Sequence, residues 1–370
     1  MTDRIFDTLV IGGGQTGLTV GYYLAKTGRT FLILDAGERI GDAWRNRWDS
    51  LVLFTPAKFS GLPGMKPLAP GDHFVTKDEA GDFVEAYARE MGLPVLSRAR
   101  VERLSREGGL FRADTTSETF HARNVVAAMA NYQKPKIPEF AAALEPSIRQ
   151  LHSSQYRNLD SLQEGPVLVV GMGNSGADIG LEVARDRKTF HSGTPSAVIP
   201  FRLESWFGRK IGVHLVRFLT TKVVTTSTPI GRKLRPKMLK KAAPVVRVKP
   251  KDLESAGSVL VPRVTGVTDG LPELADGRRL DVANVIWSTG YLPAFDWIDL
   301  PIFDEMGQPR HRRGIVDEVP GLFFCGLFFQ HALWSETFPG MPKDARYVLD
   351  HLDRRTTTGS GVATEAHAGP

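Results

Sequence analysis

Two short glycine patterns carry the chemistry that this sequence offers. The first is Gly12-x-Gly14-x-x-Gly17, which encloses Gln15 and Thr16 and is followed by Asp35. The second is Gly171-x-Gly173-x-x-Gly176, which encloses Asn174 and Ser175. Between a strand and a helix, such a pattern suits a dinucleotide. Its first glycine makes a tight turn, its second lets backbone approach a pyrophosphate, and its third lets the helix pack against the strand. The unpaired N–H groups at the helix start then face the phosphates. An acid at the end of the next strand can hydrogen-bond a ribose hydroxyl and repels a 2′-phosphate. Asp35 stands at that place after the first pattern. The same spacing from Gly171 reaches Thr194, which repels nothing, with Lys188 and Arg202 near enough in sequence to approach a phosphate. The first site therefore suits FAD and the second NADP(H) more than NAD(H).

The elements needed to position these residues are present in both stretches. Leu9–Ile11 reads as a strand, a helical pattern stops at Gly28, and Phe31–Leu34 reads as the next strand. The order repeats with Pro166–Val170, a helix to about Ala184, and Lys188–His191. Each unit then carries a turn-rich insert and a similar ending, Asn124–Ala130 in the first and Asn284–Gly290 in the second. This predicts an α/β protein with two Rossmann-like dinucleotide-binding domains, arranged as a two-dinucleotide-binding flavoprotein. The expected division is 1–150 for the first part of the FAD domain and 151–284 for the NAD(P)H domain, with a basic insert at 204–256. Residues 285–353 then complete the FAD domain, ending in a strand at Leu322–Cys325 and a helix at Lys343–Leu352. The small, polar residues 354–370 are expected to be disordered. Asp78–Met91 reads as an amphipathic helix. Trp44 and Arg45 lie just past the first unit, placed to touch FAD.

Composition narrows the class. With 42% apolar and 24% charged residues, the chain is of ordinary globular type. The polar start is not a signal peptide, and no apolar run reaches a membrane span, so the expectation is a soluble, cytoplasmic protein. The single cysteine, Cys325, rules out an intramolecular disulfide, a Cys-x-x-Cys centre and a cysteine-rich metal site. Net charge is +6, and thirteen Lys/Arg with no Asp or Glu fall between Arg209 and Lys251. That stretch reads as a solvated or nucleotide-facing surface, or as a contact for an anionic membrane or partner. No nucleic-acid module accompanies it.

The chain resembles the class B flavin-dependent monooxygenases, and among them the flavin-containing monooxygenases with their plant YUCCA-like branch. The resemblance spans about 4–353. It is carried by GGGQTG at 12–17, GDAWRNRW at 41–48, FTPAKFSGLPG at 54–64, YQKPKIP at 132–138, GMGNSG at 171–176 and WSTGY at 287–291. The family's interdomain fingerprint is matched at His152 and Tyr156, but Pro146 and Ile148 replace its Phe and Gly. The resemblance implies that Gly12, Gly14, Gln15, Thr16, Gly17, Asp35, Trp44 and Arg45 serve FAD. It implies that Gly171, Gly173, Asn174, Ser175, Gly176, Thr194 and Arg202 serve NADPH, and that His152 and Tyr156 organise the interdomain link. Gln330, His331 and Trp334 are candidates for the substrate side, with no metal. The implied activity is oxygenation of a small organic molecule at nitrogen or sulfur, or attack on a carbonyl, through a hydroperoxyflavin formed after NADPH reduces FAD. A flavin reductase or oxidase, and a non-enzymatic flavoprotein with a basic docking stretch, are the alternatives. Ala128-Met129-Ala130 stands where the family has Ala-Thr-Gly. An alanine at that last position would be strained by about 1 kcal/mol or more if its φ were positive.

Overall fold

The computed structural model describes residues 4–67, 69–239 and 243–360. Two parallel-strand sheets organise it. In the first, the order is Val95–Leu96, Phe31–Leu34, Ile5–Ile11, Thr119–Ala127, Leu110–Thr115 and Val101–Glu107. The long strand Thr119–Ala127 works twice. Its first half pairs antiparallel with Leu110–Thr115, and its second half pairs in parallel with Leu322–Phe324, the returning end of the chain. The second sheet is parallel throughout, in the order Arg149–His152, Asn284–Trp287, Val167–Val170, Thr189–Ser192, Val259–Val261.

The central strands are apolar because both of their faces are covered. Leu9 and Val10 in one sheet, and Val167, Leu168 and Val169 in the other, are sealed from water. The helix Gln15–Ala25 packs on the closing helix Met341–Ser360. The amphipathic helix runs Lys77–Glu90, started by a Thr76–Glu79 capping box that satisfies backbone donors in both directions.

The sheets set the limits of the two units. Arg149–His152 and Asn284–Trp287 are both strands of the second sheet. The expected limits at 150/151 and 284/285 therefore fall inside strands, and the crossings lie outside them. At those crossings Lys134–Pro135 pairs antiparallel with Tyr291–Leu292, so the outgoing and returning chains form a short ribbon. The insert expected at 204–256 lies between the neighbouring strands Thr189–Ser192 and Val259–Val261. It is helical over 208–223 and at Pro229–Met238. The closing helix is longer than expected and takes in 354–360, so that part of the stretch expected to be disordered continues the helix. Residues 361–370 lie outside the described residues.

Candidate functional site

The two glycine turns are built alike. Gly12 and Gly171 have φ of 108° and 114°, a region that favours glycine. A Cβ on Gly17 would stand 1.8 Å from the Gly12 carbonyl oxygen, and one on Gly176 2.0 Å from that of Gly171. The third glycine of each pattern is thus required for helix and strand to touch. Gly14 is different: a Cβ there would meet no atom within 4 Å. Gly14 and Gly173 start their helices with extended backbone and no side-chain cap. The first N–H groups of each helix therefore lack a side-chain acceptor, beside open space in the case of Gly14. That is the cradle a dinucleotide pyrophosphate fits.

The supports of the turns are not alike. The Asp35 carboxylate accepts the Gly13 N–H at 2.6 Å and the Gly37 N–H at 2.8 Å, which ties the end of the second strand to the turn. Each oxygen keeps a lone pair for a ribose hydroxyl. At the second turn the ring of buried His191 donates from Nε2 to the Gly171 carbonyl at 3.0 Å. Burial pushes this imidazole down to about 4, so it is neutral at pH 7. Asp35 is named by its place in the pattern, whereas His191 stands mid-strand where nothing marks it.

Several expected contacts take another form. Trp44 reaches the first turn, donating from Nε1 to the Gln15 side chain at 2.8 Å and stacking on Phe338. The Thr16 hydroxyl turns away to the Met341 sulfur at 3.4 Å. Arg45 was expected at FAD, but its guanidinium is held by Asp82, Glu85 and the Ile40 carbonyl, pinning its loop to the helix Lys77–Glu90. The Asn174 side chain holds backbone at Pro244 and Val246. Ser175 is half-buried in the first helical turn and Thr194 is exposed past the strand. Arg202 is paired with Asp252, in a pocket shared with Leu181 and Arg185 toward the far end of the second helix. Its guanidinium is thus engaged by a carboxylate before any nucleotide binds.

The crossings bring a third group of side chains together. His152 is buried, and its Nδ1 accepts the Ser154 N–H at 3.2 Å. The ring proton is therefore on Nε2, which donates to the Gly290 carbonyl at 2.9 Å. Burial lowers the basicity of the ring and keeps it neutral. Tyr156 is fully buried beside Glu182, and burial raises its phenol. The Tyr291 ring packs edge-on against His152 and Tyr132, and its hydroxyl accepts from Arg47 at 3.1 Å. Tyr132 in turn donates to Glu336 Oε1 at 2.7 Å. The other carboxyl oxygen, Oε2, is sealed from water with no hydrogen-bond partner among the described residues. Burial pushes this carboxyl up to about 7. Glu336 lies by the first turn, its own carbonyl 3.5 Å from the Gln15 amide nitrogen.

Glu336 is a lone acid in a loop with no spacing to mark it, and Tyr132 is visible in the sequence only as the first residue of YQKPKIP. Of the substrate-side candidates, Gln330 spends its amide on the Phe324 carbonyl and the Leu327 N–H. His331 bonds Thr226, and Trp334 lies against Phe54. The first two are buried supports of this loop, and only Trp334 remains half-exposed.

The sequence model for the pyridine nucleotide-disulphide oxidoreductases matches residues 9–199. An uncharacterized CzcO-like oxidoreductase of Geobacillus kaustophilus is 38% identical over 360 residues, covering 94% of this chain and 99% of the relative. The indole-3-pyruvate monooxygenase YUCCA4 of Oryza sativa subsp. japonica is 28% identical over 78% of this chain and 75% of its own length. The solved flavin-containing monooxygenase of Stenotrophomonas maltophilia superposes with a TM-score of 0.77 at 26% identity, covering 95% of this chain and 99% of its own. Among the described residues no helix is long and apolar enough to cross a membrane. The chain belongs to the pyridine nucleotide-disulphide oxidoreductase family, and the proteins it is similar to include flavin monooxygenases.

Proposed function

We propose that this protein is an NADPH- and oxygen-dependent monooxygenase that oxygenates a small organic substrate at nitrogen or sulfur, or attacks a carbonyl. FAD, once reduced by NADPH, would supply the oxygen chemistry. The chain's own part is to bind, orient and keep water out. Gly12, Gly14, Gly17 and Asp35 are assigned to FAD, and Gly171, Gly173 and Gly176 to NADPH. The chain divides accordingly at the two crossings.

The observation that carries the reading is the junction of Glu336, beside the first turn, with Tyr132 at the crossing. A carboxyl raised to about 7 is protonated in about half of the molecules at pH 7, and in that form it can donate a hydrogen bond from Oε2, where a carboxylate could only accept. Such a donor, with its oxygen sealed from water, suits a site that must hold a proton near an oxygen-derived anion. Met129 and Ala130, where the family has Thr and Gly, favour the reductase or oxidase reading; Ala130 is not among the residues with positive φ, so no backbone strain adds to it.

The test is to reduce the purified protein anaerobically with NADPH, mix it with oxygenated buffer and follow the flavin spectrum. A near-ultraviolet species that persists before oxidised flavin returns is the expected result. Direct return with peroxide released would replace this reading with an oxidase.

A further inference from the structure

Nine of the sixteen large apolar side chains that stand exposed among the described residues fall between 206 and 239. They follow a pattern. Phe207, Ile211, Leu215 and Phe218 recur at helical spacing along the helical stretch 208–223, and each is between 44% and 57% exposed. The opposite side of the same stretch is also apolar, with Val213 and Val216 buried against the body of the protein. A surface helix ordinarily turns a polar face outward. This one is apolar on both sides, and Lys222 stands exposed on it, while Lys210 and Arg217, also exposed, reach Asp72 and the Phe59 ring of the body. The second helix repeats the arrangement, with Ile230 and Leu234 exposed four residues apart among Arg232, Lys233 and Lys237. Trp206, 73% exposed, precedes both.

We propose that the 206–239 insert is an interfacial docking surface for an anionic phospholipid bilayer. Charge selects this occupant. From Arg209 to Lys251 every charged residue is basic, although the chain has 41 acids elsewhere. A second copy seated on the same face about a two-fold axis would bring lysines and arginines against each other. A phosphate backbone would take the cations and leave the apolar row in water. A bilayer surface takes both, with headgroups for the cations and the acyl boundary for Phe, Ile, Leu and Trp. The insert is also held to the body. Lys58 donates to the Arg209 carbonyl at 3.1 Å, and the Arg217 guanidinium lies 4.7 Å over the Phe59 ring. The Thr226 N–H donates to the His331 carbonyl at 2.7 Å, in the loop that carries Glu336. Docking therefore fixes the orientation of the whole molecule on the bilayer.

The experiment is flotation of the full-length, FAD-loaded protein with vesicles of phosphatidylcholine alone and of phosphatidylcholine mixed with phosphatidylglycerol. Binding is expected to the anionic vesicles at low salt and to weaken as salt is raised. Ile211→Ser with Phe218→Ser should lower the bound fraction at least about tenfold. Lys222→Glu with Lys233→Glu should abolish the preference for phosphatidylglycerol. Both double variants should retain the flavin spectrum and the rate of flavin reduction by NADPH, which shows that they fold. Failure of the wild type to float with anionic vesicles at low salt would overturn the proposal, as would equal binding by all three proteins. Light scattering supplies the other arm. A wild-type dimer in the absence of lipid that Ile211→Ser with Phe218→Ser dissolves would give the face to a second copy instead.

Discussion

The two nucleotide units share a backbone design and differ in what holds it. In each, the third glycine rests on the carbonyl of the first, with no room for a methyl group. Around the first turn the support is an anion, Asp35, which accepts from the Gly13 N–H. Around the second it is a neutral imidazole, His191, which donates to the Gly171 carbonyl. The chain endings differ as well. Gly290 has a φ of 82° and offers its carbonyl to His152, whereas Ala130 in the matching place has no positive φ. Identical turns can therefore be stabilised by groups of different charge, and the two halves will not respond alike to pH.

The largest effects should come from the feature the halves share. Gly17→Ala and Gly176→Ala each force a methyl group into a carbonyl. Gly17→Ala should yield colourless protein with a lowered Tm. Gly176→Ala should stay yellow but lose on the order of 100-fold in flavin reduction by NADPH, measured by stopped flow. Gly14→Ala meets no atom, so it should fold normally and lose FAD only; an unfolded product would contradict the open cradle. If both third-glycine variants lose FAD equally, the two sites are not separable.

His191 supplies the next contrast. Its folded value is held near 4 by burial, below the ordinary value of 6.5. The neutral ring is thus favoured by folding. Its contribution is present above pH 6.5 and is lost as pH falls toward 4, up to roughly 3 kcal/mol over the window. His191→Leu puts at this position the residue that the first unit has at Leu32. Urea unfolding at pH 7.5 and pH 5 should find the variant's deficit smaller at the lower pH. A deficit independent of pH would place the ring's value elsewhere.

Glu336 shifts the other way, raised to about 7 by burial. Its contribution to stability is present below the ordinary carboxyl value and is lost as pH rises through 7. In the wild type, the fraction of oxygen consumption coupled to product should fall between pH 6 and 8. Glu336→Gln keeps a donor at every pH, so its profile should be flat over that range. Matching profiles would remove Glu336 from any proton-holding role. The smallest effects belong to the crossings. Gly290→Ala should cost about 1–2 kcal/mol because of its φ. Ala130→Gly should cost at most about 1 kcal/mol and leave peroxide leakage unchanged. An improvement on Ala130→Gly would mean that the alanine is strained after all.

Much of this was legible in the sequence, for reasons that differ by residue. The glycine turns and Asp35 could be found because their spacing follows from strand and helix geometry and tolerates no slip. The crossings could be placed only roughly. Asn284 reads equally well as the end of an insert or the start of a strand, and pairing with Arg149 decides it. Arg45 and Arg202 look like phosphate ligands by type and position. Whether a guanidinium is free or already clamped by Asp82, Glu85 or Asp252 depends on partners 37 to 50 residues away. Glu336 and Tyr132 stand 204 residues apart, and only the fold makes them a pair.

Cys325 is the chain's one thiol, and it follows the returning strand, fully buried. Burial holds that thiol well above its usual range, so it stays protonated. In electron terms the polypeptide is a vessel of fixed size. On the proposed reading, one hydride from NADPH would fill the flavin, and with a single cysteine the chain has no dithiol to receive a second pair. Reductive titration should end at one NADPH per FAD, with no over-reduced form at excess NADPH. Every electron pair would then leave from the flavin itself, to a carrier that comes from outside the polypeptide.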